Sequence, residues 1–283
     1  MAMKKGLILE GGAMRGLFTA GATDVMMENG IEFDGAVGVS AGAAFGCNYK
    51  SGQIGRTLRY NLKYAGDKRY CSLRNLIKTG DLFGVDFCYK RIPLELDPFD
   101  TPAFIANPME FYTVATDCKT GEAVYHKCYD GLGEDLLHIQ ASASMPLVSR
   151  VVEVGDLRLL DGGIADSVPL RFFESIGYER NVIILTQPES YRKDKASMLS
   201  LMKLTLRKYP KIVEAMERRH EVYNETLEYV AKREREGAVL VIRPETKLPI
   251  KRLEKDPAVL QSVYDLGRAE AEKQIASIKE FLK

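Results

Sequence analysis

The sequence lacks tryptophan altogether and has only three histidines and five cysteines among its 283 residues. The cysteines are Cys47, Cys71, Cys88, Cys118 and Cys128. Their odd number and the lack of CxxC spacing exclude a regular disulfide framework, so we expect free thiols in a reducing cytoplasm. Because none of them lies in a recognisable motif, a cysteine nucleophile is disfavoured.

Long apolar runs and an excess of one charge are also missing. No apolar window reaches the roughly 18 residues that a membrane-spanning helix needs. The basic start of the chain is followed by a short apolar run, Leu7-Ile8-Leu9, which ends at Glu10. We therefore expect no secretory leader and a cytoplasmic location. The chain has 40 basic and 39 acidic residues, a net charge of +1, which gives no global bias toward nucleic acid.

What the sequence does have is an alternation of short apolar runs and amphipathic segments. Residues 5–10 form a buried-strand pattern, residues 11–16 a glycine-rich loop, and helical spacing follows until Asn29-Gly30. A second apolar run lies at 36–39. This β-loop-α-β order predicts parallel strands joined by right-handed crossovers. We predict an α/β fold, with three α/β/α layers around a mostly parallel central sheet.

Later segments continue this alternation. Further strands are predicted at 110–115, 123–126, 148–154, 158–160, 181–186 and 238–243. Helices are predicted at 43–64, 133–144, 166–176, 197–236 with a break near Pro210, and 256–283, and an irregular segment at 80–108. Because no linker interrupts the pattern, we expect one domain over 1–283. Its motif-bearing part is 4–186, and its helical C-terminal part, 187–283, adds one further strand.

The residues Gly38-Val39-Ser40-Ala41-Gly42 have the G-x-S-x-G spacing of a nucleophile elbow, in which a serine lies on a sharp turn between a strand and a helix. Side chains at the positions of Gly38 and Gly42 would collide across such a turn. The helix that follows directs its first N–H groups toward Ser40. An ordinary strand–turn–helix junction can carry the same spacing, but the place directly after an apolar run favours a nucleophile.

The glycine-rich loop, Gly11-Gly12-Ala13-Met14-Arg15-Gly16, has three interpretations. One is an ordinary tight turn. A second is the dinucleotide loop of a Rossmann oxidoreductase, which requires an acidic residue at the far end of the second strand; Ser40 stands there instead. The third is an oxyanion hole formed by the backbone amides of Gly11, Gly12, Ala13 and Met14, which neighbouring parallel strands would bring beside Ser40. The sequence leaves open whether Arg15 faces the site.

An aspartate followed by two glycines, Asp161-Gly162-Gly163, comes directly after the apolar residues of a predicted strand. Asp-Gly is a common turn sequence, and a simple turn is one interpretation. The position at the end of a strand is also the one that a catalytic carboxylate requires.

Residues 50–78 are strongly basic, with Asp67 as their single acidic residue. The basic residues are Lys50, Arg56, Arg59, Lys63, Lys68, Arg69, Arg74 and Lys78. Two interpretations stay open: a solvated helix face, or a surface that makes peripheral contact with the anionic headgroups of a membrane.

Taken together, these separated stretches resemble the patatin-like phospholipase family, most of all its small bacterial cytoplasmic members. The resemblance rests on the glycine loop with Arg15 and Gly16, the elbow with Gly38 and Gly42, Ala141–Pro146, the aspartate with Gly162 and Gly163, and Val168-Pro169-Leu170. The family turn also matches Thr116-Asp117 and Thr120-Gly121, so the resemblance covers roughly residues 4–186. Ala13 stands where the family commonly has a third glycine; an alanine still presents its N–H.

The resemblance implies a catalytic dyad of Ser40 and Asp161 with neither histidine, metal nor cofactor. A Ser-Asp-His order would leave His220 as the only candidate after Asp161, and His220 lies in a highly charged helical segment. His126 and His138 lie on a predicted strand and helix rather than on strand-end loops.

Three functions follow as hypotheses. The first is a serine acyl hydrolase that acts on acyl-ester lipids, phospholipid or lysophospholipid. The second is a carboxylesterase or thioesterase with small soluble acyl substrates. The third is a non-catalytic member of the family that binds lipid or a partner through the same pocket.

Overall fold

The computed structural model describes residues 3–283, and a mixed sheet of eight strands runs through this part of the chain. Its strands are β1 (Lys4–Leu9), β2 (Gly35–Val39), β3 (Glu110–Asp117), β4 (Ala123–Cys128), β5 (Val152–Val154), β6 (Leu157–Asp161), β7 (Tyr178–Ile184) and β8 (Val239–Ile242). The order is β5-β6-β3-β2-β1-β7-β8, and β4 pairs with β3. The run from β3 to β8 is parallel, whereas β4, β5 and β6 pair antiparallel. The predicted α/β fold class is confirmed.

Helices cover both faces of this sheet. They are α1 (Gly16–Glu28), α2 (Ala41–Lys50), α3 (Arg56–Tyr64), α4 (Leu73–Thr79), α5 (Thr101–Ala106), α6 (Gly133–Ser142), α7 (Leu170–Ser175), α8 (Leu199–Thr205), α9 (Pro210–Arg235) and α10 (Pro257–Phe281). Two short 3-10 turns, Ala13–Arg15 and Gly162–Ile164, and a π-helical segment, Phe87–Leu96, complete the helical structure of residues 3–283. In α9 and α10 the first residue is proline, whose fixed φ and missing N–H suit that position.

The two faces of the sheet hold separate hydrophobic cores because successive strand residues point in opposite directions. On β1, Leu7 and Leu9 pack in the core under α1, α2 and α10. Ile8, between them, packs in the core under α7 and α9. This alternation produces the predicted three-layer arrangement.

Strands β2 and β6 meet end to end along the same edge of β3. The other edge of β3 is occupied by β4 over Phe111–Thr116. On the shared edge, Val39 pairs with Val114 and Asp161 pairs with the next residue, Ala115. Because β2 and β6 run in opposite directions, the residues that follow their ends are brought to one point of the sheet.

The C-terminal helix packs closely on the first helix. A Cβ atom at Gly21 of α1 would lie 2.1 Å from the Tyr264 carbonyl oxygen, and one at Gly267 of α10 would lie 1.9 Å from that of Phe18. The Tyr264 hydroxyl also donates a hydrogen bond of 2.6 Å to Asp24. The glycines therefore allow a backbone approach that side chains would prevent. Folding of 1–283 as one domain stays a prediction.

Some local structure differs from expectation. The predicted helix at 43–64 is divided into α2 and α3, because Gly52 and Gly55 adopt left-handed φ values of 66° and 73° between them. Strand β7 begins at Tyr178, three residues before the predicted start. All five cysteines are free thiols, and four are buried. Within residues 3–283, no helix is both long and apolar enough to cross a bilayer.

Candidate active site

Ser40 lies on the turn between β2 and α2, with φ 56° and ψ −118°. This is a strained conformation for a residue with a side chain, and the surrounding backbone maintains it. A Cβ atom at Gly38 would lie 2.3 Å from the Gly42 carbonyl oxygen, and one at Gly42 would lie 2.3 Å from that of Leu9. The local geometry is therefore that of a nucleophile elbow, and both glycines are required by close backbone contacts.

Asp161 lies at the end of β6 and is only 2% exposed. Its Oδ1 accepts a hydrogen bond of 2.8 Å from the Gly163 amide. Its own amide donates to the Ser144 carbonyl, and its carbonyl accepts from the Thr116 hydroxyl, each at 2.8 Å. These contacts fix the backbone on both sides of the carboxylate, which stays oriented toward the end of β2.

The Ser40 hydroxyl and the Asp161 carboxylate line the same cavity, and hydrogen bonding to Ser40 lowers the pKa of Asp161. Burial raises the pKa of Asp161 above the usual aspartate value. Arg219, Ser40 and the Gly163 amide oppose that shift, as does Lys193 more weakly. The carboxylate is therefore more basic than an exposed one.

The amides of the glycine-rich loop lie beside Ser40, as neighbouring parallel strands predict. A Cβ atom at Gly11 would lie 2.8 Å from the Ser40 Cβ atom. Among the hydrogen bonds of residues 3–283, the amides of Gly11, Gly12 and Ala13 have no acceptor, whereas the Met14 amide donates to the Arg252 carbonyl at 3.4 Å. Gly11, Gly12 and Ala13 thus have amides available for an oxyanion, and Met14 shares its amide with a competing acceptor.

Glu10, directly before this loop, is a buried carboxylate without an ion pair in the described part of the chain. It accepts hydrogen bonds from the Thr186 amide at 2.6 Å, the Thr186 hydroxyl at 3.0 Å and the Tyr223 hydroxyl at 2.6 Å. The Thr186 hydroxyl also lies 3.2 Å from the Gly11 carbonyl and 3.5 Å from Arg15 Nε. The loop is therefore fixed to the end of β7 and to α9.

Two cavities meet at Ser40. The larger, about 650 Å³, has a mainly apolar lining that includes Phe45, Ile92, Leu136 and Met202. The smaller, about 90 Å³, has six charged residues in its lining. Its lining includes Glu10, Gly11, Gly12, Ala13, Arg15, Ser40, Asp161, Gly163, Lys193, Arg219 and Arg252. This lining unites the predicted serine and aspartate with Gly11, Gly12, Ala13 and Arg15, whereas Met14 lines the larger cavity.

Several residues at the site were not predicted. The Ser142 hydroxyl accepts a hydrogen bond of 2.8 Å from the Ser40 amide and so supports the elbow. Lys193, Arg219 and Arg252 come from the C-terminal part, in segments without a recognisable motif. Ser142 could have been found from the Ala141–Pro146 segment, but no signal distinguishes the three cations from the many basic residues around them.

None of the three histidines, all within the described residues, hydrogen-bonds to Ser40 or Asp161. His126 and His138 are stacked with ring centroids 3.7 Å apart, and His126 contacts Asp135 at 2.7 Å. The backbone amides of residues 129–131 also donate to Asp135, which gives this group a structural role. His220, which we expected on a charged helix face, is half-buried and lines the larger cavity.

The basic segment at 50–78 is only partly a free surface. Lys50 is buried and donates to the Asn107 and Met109 carbonyls. Arg56 is buried and donates to the Asp97 carbonyl, while Arg59 forms a bidentate pair with the Asp97 carboxylate. Other exposed basic residues lie at the end of α3, on α4 and between the two helices. They are Lys63, Lys68, Arg69, Arg74 and Lys78, of which Arg69 pairs with Asp67.

Fold and site together define an α/β protein with an elbow serine beside a buried carboxylate. The chain belongs to the patatin-like phospholipase family, whose model matches residues 7–173, more than half of its length. At the family level these proteins are lipid acyl hydrolases. A second family model, described as a domain of unknown function (DUF6363), matches residues 209–283.

Two individual proteins are similar to this chain. The uncharacterized protein YjjU of Escherichia coli K12 is 29% identical over 192 residues, which are 64% of this chain and 52% of YjjU. The chain thus spans about half the length of this relative. The crystal structure of VipD from Legionella pneumophila aligns with a TM-score of 0.49 and 12% identity, covering 98% of this chain and 67% of VipD.

Proposed function

We propose that this protein is a serine acyl hydrolase for acyl-ester lipids, phospholipid or lysophospholipid, with Ser40 as nucleophile and Asp161 as its base. The main support for this proposal is that β2 and β6 meet on one edge of β3, so that the elbow serine, Ser40, lies next to the buried carboxylate of Asp161. Family membership supports the reaction class.

In the proposed reaction, the Ser40 oxygen attacks the acyl carbonyl and Asp161 accepts the hydroxyl proton. The amides of Gly11, Gly12 and Ala13 hold the oxyanion. The ester C–O bond then breaks, the proton passes to the leaving alcohol, and water hydrolyses the acyl-enzyme by the same steps. The raised pKa of Asp161 supports its role as a base, since an ordinary carboxylate is a poor proton acceptor from serine.

The larger cavity supports a lipid substrate over a small soluble one. Its apolar lining extends from Ser40 to the residues around the π-helical segment, including Tyr89 and Ile92. Burial of an acyl chain in such a lining contributes about 0.8 kcal/mol for each CH₂ group. A small soluble ester would leave most of this space without an apolar occupant.

We propose that the protein is cytoplasmic and that lipid reaches the larger cavity through peripheral contact with an anionic membrane. On α4, Leu73 and Ile77 are 71% and 85% exposed, next to the exposed Arg74 and Lys78. The residues on both sides of α4, Tyr70 and Leu82, line the cavity. Exposed apolar side chains can enter the boundary between headgroups and acyl chains of a membrane, while neighbouring basic side chains contact the anionic headgroups. Co-sedimentation with phosphatidylserine vesicles, compared between the wild type and Ile77→Glu, tests this contact.

Ester hydrolysis by the purified chain tests the main proposal. We expect Ser40→Ala and Asp161→Asn each to abolish turnover of 4-nitrophenyl acyl esters while circular dichroism shows an unchanged fold. Ser175→Ala and Asp86→Asn, at exposed positions that line neither cavity, are matched controls. Full activity of either site variant would refute the assignment.

An acyl-chain-length series distinguishes the proposed substrate class from its alternatives. We expect kcat/KM to rise with chain length as CH₂ groups enter the larger cavity. A maximum at acetyl or butyryl esters would favour a carboxylesterase or thioesterase for small substrates. Lipid binding without turnover of any ester would favour a non-catalytic protein.

A further inference from the structure

Four cationic side chains surround the smaller cavity: Arg15, Lys193, Arg219 and Arg252. Within residues 3–283, none of them forms an ion pair of 4 Å or less with a carboxylate. This is unusual for the chain, since many of its other basic residues pair with nearby acids, such as Arg59 with Asp97.

Three of these residues have anchoring contacts, and within residues 3–283 the terminal nitrogens of their side chains donate no hydrogen bond. Arg219 uses its Nε to donate to the Gly163 carbonyl at 2.5 Å. The Lys193 ammonium lies 4.0 Å from the Tyr223 ring centroid, and its backbone exchanges hydrogen bonds with Asn224. The Arg252 carbonyl accepts from the Met14 amide.

The carboxylates of the smaller cavity do not balance this charge. They are Glu10 and Asp161, against the four cations. Glu10 already accepts three hydrogen bonds from Thr186 and Tyr223. Burial, together with Arg219, Arg15 and Arg252, lowers the pKa of Lys193 to about 7, against the opposing effect of Glu10. The cavity therefore has an uncompensated positive potential next to Ser40, which an anion would relieve.

We propose that Lys193, Arg219 and Arg252 form a subsite for a phosphate group carried by the leaving alcohol of the ester substrate. The proposal rests on the proposed function. Cations from three separate segments of the chain suit the several oxygens of a phosphate, and guanidinium groups bind such oxygens through paired N–H donors. The acyl chain would occupy the larger cavity and the phosphate the smaller one. The preferred substrate is then a phosphate-bearing acyl ester rather than a neutral glyceride.

The three residues lie outside the part of the chain that the patatin-like family model matches, residues 7–173. Arg219 and Arg252 lie within the segment described as a domain of unknown function, 209–283, and Lys193 lies before it. The C-terminal part thereby has a role at the site, because it supplies the cations that select the leaving group. The reaction needs no additional reactant, because water cleaves the ester into a fatty acid and an alcohol phosphate.

The test compares two esters with the same acyl chain, 1-acylglycerol 3-phosphate and 1-monoacylglycerol, at submicellar concentration with the full chain. We expect the wild type to prefer the phosphate ester in kcat/KM, and Lys193→Gln, Arg219→Gln or Arg252→Gln to lower this preference about 10- to 100-fold. Each has an exposed basic neighbour as a matched control: Arg192→Gln, Arg218→Gln and Lys251→Gln should retain the preference.

Three outcomes would overturn the subsite. They are equal kcat/KM for both esters in the wild type, an equal loss of preference in the control variants, and stimulation of monoacylglycerol hydrolysis by inorganic phosphate to the rate of the phosphate ester. The last outcome would mean that the cations bind a free anion rather than the phosphate group of the substrate. Failure of the proposed function looks different, because neither ester would then be hydrolysed and Ser40 would not react with a fluorophosphonate.

Discussion

At the scale of single residues, the site is a balance between one buried carboxylate and the cations around it. Asp161 is nearly inaccessible, and its burial favours the protonated form. Arg219 acts in the opposite direction and keeps the carboxylate available as a base. The same guanidinium therefore has two effects, on the basicity of Asp161 and on the proposed phosphate subsite.

The effect on basicity is measured with a neutral ester, which has no group for the phosphate subsite. Asp161 must be ionised to accept a proton, so activity is lost as pH falls through its pKa. Arg219→Gln removes a charge that lowers this pKa. In Arg219→Gln we expect the acid limb of the kcat/KM profile to move to higher pH. In Arg219→Lys, which keeps a positive charge, the acid limb should lie closer to its position in the wild type. An acid limb at the same pH in all three proteins would contradict the prediction.

Lys193 gives a second pH dependence with the opposite sign. A lysine is charged below its pKa, and the pKa of Lys193 is lowered to about 7 by burial and by Arg219, Arg15 and Arg252, whereas Glu10 opposes the shift. The preference for the phosphate ester over the neutral one should therefore decline as pH rises through about 7. The profile of kcat/KM reports the free enzyme and is the measurement to make. Lys193→Gln should remove this decline. A wild-type preference that does not change between pH 6 and 9 would contradict this role of Lys193.

At the scale of elements, the elbow depends on close approach between the backbones of β1, β2 and α2. A Cβ atom at Gly42 would lie 2.3 Å from the Leu9 carbonyl and 2.9 Å from that of Glu10. Both carbonyls lie at the end of β1, directly before the glycine-rich loop, so displacement of α2 also displaces the loop.

We therefore expect Gly42→Ala to lower both stability and turnover. Overpacking of this kind typically costs about 1–3 kcal/mol, measured here as the change in the free energy of urea unfolding. The loss of activity should exceed the loss of folded protein, because the loop amides move relative to Ser40. Gly66→Ala is the control, since a Cβ atom at Gly66 meets nothing within 4 Å. A Gly42→Ala protein with wild-type stability and kcat would disprove the packing role.

Elements with a local sequence signal were predictable, and those set by distant contacts were not. The elbow and the aspartate turn were located because their glycines and flanking apolar runs are adjacent in the chain. Their meeting at β3 depends on the pairing of Val39 and Asp161 with neighbouring residues of one strand, which sequence order does not reveal. Arg219 was missed because its helix, α9, carries so many charged residues that one half-buried cation has no distinguishing pattern.

At the scale of the whole molecule, the C-terminal part contributes to the site as well as to the fold. Helix α9 brings Arg219 to the smaller cavity and Tyr223 to Glu10, which precedes the glycine-rich loop, and α10 packs on α1. We propose that the parts matched by the two family models fold as one cooperative unit, because α10 is in backbone contact with α1 at two glycines.

Gly267→Val tests this cooperativity. The added side chain would overlap the Phe18 carbonyl, since even a Cβ atom would lie 1.9 Å from it. We expect the free energy of unfolding to fall by about 1–3 kcal/mol. Calorimetry should still show a single unfolding transition, and ester hydrolysis should be lost over the same temperature range. Two separate transitions, with activity lost only in the second, would mean that the C-terminal part unfolds independently.

The most direct test of the central claim, that Asp161 activates Ser40, is the rate of fluorophosphonate labelling, with the labelled peptide located by mass spectrometry. We expect one adduct on Ser40 in the wild type, none in Ser40→Ala, and a much slower rate in a folded Asp161→Asn protein. An adduct on a different residue, or equal labelling rates for the wild type and Asp161→Asn, would contradict it.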